Sequence, residues 1–176
     1  PLSSGKGSAH EGGVRVPMLV SWPGVTDPGS ICEQPVMIED FFTTILEMAK
    51  VSNVEQVGGT IDGKSFVPLL RGQHDASRGQ RPLFWHFPNH WGPSGPGIGP
   101  SSAIRKGDWK LIYYHDASNY ELFDLSKDLS ETNNLADSHP QVREKLAAEL
   151  GSYLTSVQAQ MPIRKESGAA VAYPGK

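Results

Sequence analysis

The stretch SSAIRKGDWKLIYYHDASNYELFD (101–124) constrains the fold of this chain more than any other. It contains three β-type runs, SSAIRK, WKLIYYH and YELFD, separated by Gly107-Asp108 and by the turn residues Asp116 to Asn119. Connections this short require antiparallel neighbours. RPLFWHF (81–87) reads as a further strand of the same kind. Beyond Ser138 and His139, residues Val142, Leu146, Leu150, Tyr153, Leu154 and Val157 recur on one helical face, with Pro140 in the first turn and Ser138 as the N-cap. Residues 79–160 are therefore expected to form a small α+β subdomain, a four-stranded antiparallel sheet with a C-terminal helix on one face. The tail, 161–176, has little to bury and is expected to be mobile.

Residues 1–78 have a different character. VRVPMLVSW (14–22) reads as a strand, and Met18-Leu19-Val20 is apolar enough to want cover on both faces. Ile38, Phe41, Phe42, Ile45, Leu46 and Ala49 follow helical spacing, which predicts a helix over 38–50 packing its apolar stripe on a sheet. GKSFVPLLRG predicts a second short helix with Ser65 at its start, Pro68 in its first turn and Gly72 as its stop. Strand plus covering helices is α/β material. The polar, aperiodic HDASRGQ near residue 75 marks the boundary between this portion and the antiparallel-sheet subdomain.

A chain of 176 residues holds one domain, or one and part of another, and 38% hydrophobic residues suffice for a core. A net charge of −3 argues against a nucleic-acid partner. No apolar stretch approaches the roughly 20 residues of a membrane span. The opening PLSSGKG carries no leader pattern and reads as an internal piece of a longer chain. The single cysteine, Cys32, excludes an internal disulfide and a multi-cysteine zinc site.

Two segments could carry chemistry. In Gly5-Lys6-Gly7 the flanking glycines permit close backbone approach, so Lys6 could deliver a compact positive charge to an oxyanion. The alternative is an ordinary solvated loop. PNHWGPSGPGIGP (88–100) has four Pro and four Gly in thirteen residues and bears His90 and Trp91. Long irregular loops in compact domains are often functional. Trp85 and Phe87 read as sheet core, with His86 on the alternate face. Trp109, Tyr113 and Tyr114 read as packing residues, and His74, His115 and His139 as exposed turn residues.

GKGSAHEGGVRVPMLVSWPG (5–24) closely resembles a segment of the type I, formylglycine-dependent sulfatases of the alkaline-phosphatase-like superfamily: Gly-Lys-Gly, then Glu-Gly-Gly-x-Arg, then an apolar strand ending Trp-Pro-Gly. IEDFFTTILEMA, DGKSFVPLLRG, SAIRKGDWKLIYY and YELFDLSKDLSETNNLA are similar to later segments of the same family, in the same order. The resemblance runs from residue 5 to about 157. It implies an architecture in which the C-terminal portion of an alkaline-phosphatase-like α/β/α domain (1–78) precedes the antiparallel-sheet subdomain (79–160). It implies sulfate-ester hydrolysis on a sulfated glycan or aryl sulfate, calcium and formylglycine in the full-length enzyme, and a periplasmic or secreted location. The family's sulfate-binding lysine falls on Lys6. Glu11 and Arg15 match the Glu-Gly-Gly-x-Arg frame and are expected to be a structural charge pair. His10 lies where the family varies, either facing the leaving sugar or at the surface. FWHFPNHWG is similar to the Trp-His-aromatic-Pro-His segments of carbohydrate sulfatases, which places His86, His90 and Trp91 at the border of a substrate pocket.

The family's Cys/Ser-x-Pro-x-Arg motif does not occur. Cys32 in CEQPV has its proline one place late, and SHPQVR has its arginine one place late. The Asp-Asp and Asp-Asn pairs of the calcium site are also absent. By resemblance, then, this chain contributes Lys6 and part of a pocket, binds no metal itself, is inactive alone, and partners the N-terminal half of the same protein. Two other functions fit the pattern: a phosphonate or phosphodiester hydrolase of the same superfamily, and a non-catalytic glycan-binding or interaction module.

Overall fold

A computed structural model describes residues 2–51, 59–90, 92 and 94–175. The chain forms two compact units, one of Pro17–Arg81 and one that joins Pro1–Val16 to Pro82–Lys176.

In the larger unit a single helical turn, α1 (Glu11–Val14), precedes a four-stranded antiparallel sheet. The strands are β1 (Leu83–Phe87), β2 (Ser101–Lys106), β3 (Trp109–Tyr114) and β4 (Asn119–Asp124), in spatial order β1-β2-β3-β4. The tight turn at Gly107-Asp108 sets Lys106 opposite Trp109, and Ile104, Leu111 and Leu122 then fall in register on one face. That face is covered by α5 (Pro140–Ser156), which buries Leu146, Ala147, Leu150 and Leu154. Tyr153 and Val157, expected on the same helical face, are partly exposed, although the Tyr153 ring stacks on Phe84 at 3.8 Å. Ser138 does not cap the helix; its hydroxyl donates to the Leu135 carbonyl instead. The tail is ordered by packing: Val171 is buried in the core beneath α5, Ile163 pairs with Ala170, and the Tyr173 hydroxyl donates to the Ala159 carbonyl. A mobile tail was expected because its apolar residues are few, yet Val171 and Tyr173 suffice to anchor it.

The opposite sheet face buries Ala103, Ile112 and Phe123, and Ala9, Trp85 and Tyr114 pack against them. Trp85, read from sequence as core, is partly buried against this cluster, whereas Phe87 at the strand end is exposed. Arg105, Lys110 and Glu121 share this face by register. Lys110 alternates with Ile112 along β3 and is wholly buried. Its ammonium lies 2.9 Å from Glu11 Oε1 and 2.9 Å from Glu131 Oε1. The Glu131 carboxylate also accepts the Glu11 N–H at 2.6 Å, and Arg105 flanks Glu11 Oε2 at 3.3 Å. Three charges persist out of water because Lys110 sits between the two carboxylates, Arg105 also faces Glu11, and a backbone N–H satisfies the second oxygen of Glu131.

His115, expected at the surface beside a turn, is fully buried. Its N–H backbone group donates to the Pro100 carbonyl, which draws the residue under the sheet. A polar chain runs through it: His86 Nε2 meets the Gln160 carbonyl at 2.9 Å, His86 Nδ1 meets Ser102 Oγ at 2.8 Å, and Ser102 Oγ meets His115 Nε2 at 2.8 Å. A carbonyl only accepts, so with both rings neutral His86 carries its proton on Nε2 and takes the serine proton on Nδ1. His115 Nε2 then donates to Ser102, and its buried Nδ1 is left an acceptor without a hydrogen-bond partner among the described residues. Burial, reinforced by the neighbouring His86, pushes the His115 pKa down to about 4.

In the smaller unit the described helices are α2 (Asp40–Met48), α3 (Val67–Leu70) and α4 (Ala76–Gln80). Both predicted helices are present. Ser65 Oγ accepts the Val67 N–H and Gly72 stops α3 with φ +72°. The short α4, capped by Asp75, lies in the segment read from sequence as aperiodic. The face that α2 buries differs from the expected stripe. Asp40 and Thr44 are buried, whereas Ile38, Phe42 and Ile45 are exposed. The strand expected over 14–22 is also absent: residues 15–22 pair with no ladder among the described residues, and Leu19 is 99% exposed. The apolar stripe of α2 and this segment were both assigned to a sheet that the described residues do not form. Asp40 organises the unit in its place. Its carboxylate accepts the Met37 and Lys64 N–H groups and pairs with Arg78 at 3.0 Å and Arg81 at 2.6 Å. Burial pushes its carboxyl pKa up, but these hydrogen bonds outweigh that and hold it below the usual carboxylate value.

These contacts set three stability outcomes. A Cβ at Gly63 would lie 2.0 Å from the Glu39 carbonyl oxygen, so Gly63→Ala should cost about 1–3 kcal/mol in urea unfolding. Lys110→Met strands two buried carboxylates and should lower stability by about 3–5 kcal/mol. Folded His115 stays neutral down to about pH 4 whereas an unfolded histidine protonates near 6.5, so the unfolded chain binds more protons between those values. Stability should fall by about 3 kcal/mol as pH drops through that window, and His115→Gln should flatten the dependence in denaturant titrations at pH 7 and pH 4.5.

Candidate functional site

Both segments singled out from sequence lie in the larger unit, and the fold brings them together. Lys6 sits on an exposed turn in which Gly7 takes φ +89°, a conformation glycine adopts freely. The chain leaving that turn forms an antiparallel bridge, Ser8 with Ile98, and the Ala9 N–H donates to the Gly97 carbonyl at 2.9 Å. The Ser8 hydroxyl donates to the Pro96 carbonyl and accepts from the His10 N–H. A Cβ at Gly97 would stand 2.3 Å from Ser8 Oγ and 2.6 Å from His10 Cδ2, so only glycine allows this approach. The Gly-Lys-Gly turn is therefore docked on the Pro/Gly-rich loop that follows β1.

On its other side the turn folds back over α1. The Gly12 N–H donates to the Ser3 carbonyl at 3.0 Å, and the Ser8 N–H closes the turn onto the Gly5 carbonyl. A Cβ at Gly12 would meet Ser3 O at 2.2 Å, and one at Gly13 would meet Ser8 O at 2.1 Å. The Glu-Gly-Gly sequence thus has a steric cause: the loop bearing Lys6 lies directly on the backbone of the helical turn.

His10, placed by resemblance either toward a sugar or at the surface, is buried. Nε2 lies 2.9 Å from Glu121 Oε2, Nδ1 lies 3.0 Å from Ser3 Oγ, and the ring stands edge-on to Phe123. Glu121 also accepts the Tyr114 hydroxyl at 2.6 Å. Burial alone pushes the Glu121 pKa up; the hydrogen bonds from His10 and Tyr114 reverse this and hold it below its ordinary value. Burial, then the Glu121 hydrogen bond, raises the Tyr114 hydroxyl well above the usual phenol value. His86 is half-buried at the base of the loop, bound to Ser102 and to Gln160 as above. His90 is the exposed member of the set, its Nε2 3.5 Å from Asp116 Oδ2. Trp91 lies outside the described residues.

Glu11 and Arg15 do pair, at 3.8 Å, but the stronger partner of Glu11 is the buried Lys110. Sequence reasoning missed Lys110, Glu131, Glu121 and Ser102. Lys110 left a trace, a cation at an inward position of an otherwise apolar strand; the contacts of Glu121 to His10 and of Glu131 to the Glu11 N–H left none, since each joins residues more than a hundred positions apart.

The calcium implied by resemblance has no matching donor set here. Among the described residues no three His, Cys, Asp or Glu side chains are placed to hold a metal ion, and the buried carboxylates of Glu11, Glu131 and Asp40 are already paired with Lys or Arg. Cys32 is an exposed free thiol. Among the described residues no helix is long and apolar enough to cross a membrane.

Comparison with known proteins supplies the lineage. The family model described as N-sulphoglucosamine sulphohydrolase, C-terminal, matches residues 5–160. A sulfatase of Formosa agariphila is 34% identical over 187 aligned positions, covering 100% of this chain and 33% of that protein. An N-acetylgalactosamine-6-O-sulfatase of Bacteroides thetaiotaomicron is 30% identical over 166 residues, covering 86% of this chain and 29% of the relative. The crystal structure of Ps i-CgsB in complex with k-i-k-neocarrahexaose superposes with TM-score 0.70 at 25% identity, covering 87% of this chain and 32% of that one. The chain spans about a third of the length of these relatives. The fold class is that of the C-terminal portion of the alkaline-phosphatase-like sulfatases, ending in an antiparallel sheet with its C-terminal helix. The chain belongs to the N-sulphoglucosamine sulphohydrolase C-terminal family of sulfatases.

Proposed function

We propose that the complete protein hydrolyses sulfate esters on a glycan, and that this chain supplies, through Lys6, a positive charge that meets the sulfate. The observation that carries the reading is the docking of the Lys6 turn on the 88–100 loop through the Ser8–Ile98 bridge. A solvated surface lysine needs no such anchoring from both sides; a charge that must be held at a reacting group does. The family membership and the names of the relatives, among them an N-acetylgalactosamine-6-O-sulfatase, support the same chemistry.

In this reading the Lys6 ammonium stabilises negative charge on the sulfate and ester oxygens as the bond to the leaving sugar breaks. His90, exposed on the loop, borders the sugar, and Trp91 offers it an aromatic face. His10 and His86 act from beneath, through Glu121 and Ser102, to keep the Lys6 turn and the loop in place. Residues 1–78 are part of the catalytic α/β domain and 79–160 its C-terminal subdomain, followed by the tail 161–176. The nucleophile and the metal ligands come from outside this chain, so the chain alone is inactive. Its exposed Met18, Leu19, Phe42 and Ile45 then pack against the remainder of the domain. A periplasmic or secreted site of action suits a sulfated glycan substrate.

In the complete protein, Lys6→Ala should lower kcat/KM for sulfated hexosamines by about 10²–10³-fold, with Lys6→Arg restoring only part, since a guanidinium cannot reproduce a compact point charge. Steady-state assays that include a phosphonate monoester and a non-sulfated glycan test the alternatives. Undiminished turnover by Lys6→Ala, or a preference for the phosphonate ester, would sink the reading.

A further inference from the structure

We infer that Glu131 is a positioning residue for Lys6, acting through the backbone of α1; the inference rests on the role proposed above for Lys6. Glu131 lies in the turn after β4 with φ +52°, a left-handed conformation that residues with a side chain seldom adopt. Its turn is held from within: Asp128 Oδ2 accepts the N–H groups of Thr132 and Asn133, each at 2.8 Å, and the Leu135 N–H donates back to the Leu122 carbonyl of β4. This unusual backbone sends the carboxylate inward, where it is wholly buried.

There it does two things at once. Oε1 meets the Lys110 ammonium of β3, and Oε2 accepts the N–H of Glu11, the first residue of α1. The contact to Glu11 links the turn after β4 directly to α1, and it is a charge-assisted hydrogen bond, among the stronger kinds available to a backbone amide. His10 Nδ1 stands 3.9 Å from the same Oε2, so the carboxylate faces the ring as well as the amide. The loop carrying Lys6 rests in turn on α1, its carbonyl oxygens pressed where Gly12 and Gly13 lack a Cβ. A shift of Glu11 therefore carries the floor of the Lys6 turn with it. Catalysis that depends on a charge held in place is sensitive to displacements of this kind. Lys110 is the counterion that faces the carboxylate; Glu131 is the group that touches α1.

A residue that only stabilised the sheet would show the same burial, so the test must separate stability from position. Glu131→Gln preserves shape and removes the charge. In the complete protein assayed on sulfated hexosamines, it should lower kcat about tenfold when Lys6 is present and less than twofold in a Lys6→Ala background, because the two act as a unit. Equal losses in both backgrounds would overturn the inference. If Lys6→Ala itself loses nothing, the functional reading fails, and the positional claim is then decided by hydrogen exchange, which requires no activity. In Glu131→Gln the amides of residues 5–8, Glu11 and Gly12 should exchange faster while those of β2 and β3 stay protected. Unchanged exchange at residues 5–12, or a uniform rise across the sheet, would overturn it. Should the glutamine variant not fold, Glu131→Asp, which keeps the charge and withdraws it by one methylene, is read in the same two assays with the same outcomes.

Discussion

The larger unit depends on one buried cation. Lys110 projects from β3 between Glu11 and Glu131, and its charge permits two carboxylates to lie within the same water-free space. Without it the carboxylate that the turn after β4 presents to α1 would lack its buried counterion. Burying such a cluster is costly, and an apolar substitute of similar volume often stabilises a protein as well. What an apolar group could not do is orient a backbone amide at 2.6 Å. The cluster trades stability for the placement of the segment 5–14.

The smaller unit follows the same logic with the signs exchanged. There a buried anion, Asp40, is surrounded by Arg78, Arg81 and the backbone N–H groups of Met37 and Lys64. Thr44, one turn along α2, accepts the Phe66 N–H and extends the polar interior. Apolar residues of α2 remain on the outside. A helix that buries Asp40 and Thr44 while Phe42 and Ile45 stay exposed is the inverse of an isolated globular helix. That inversion is consistent with a chain spanning about a third of its relatives' length.

Much of the architecture was legible because it rests on local signals. β2 begins and ends where its alternation and the Gly107-Asp108 turn place it, and α5 begins at the proline that suits a first helical turn. The strand over 14–22 was misread because an apolar run reports only that cover is wanted. His115 was misread because a turn nearby predicts exposure, whereas its N–H reaches Pro100 and its ring reaches Ser102. The candidate site divided in the same way. Lys6 and the Pro/Gly-rich loop could be named from composition, but His10 could not be placed, since its partner Glu121 is 111 residues away.

By itself, the sequence determined the order of elements from β1 onward, the antiparallel pairing of β1 to β4, the covering helix and the family, all of which rest on spacing, turn chemistry and motifs within a few residues of one another. Only the tertiary structure decided that Ser8 bridges to Ile98, that the two glycines after Glu11 make room for the loop before them, and that Glu131 and Lys110 hold α1. Hydrogen bonds and ion pairs between distant residues leave no periodicity in the chain. They exist only once the sheet has brought their partners within reach.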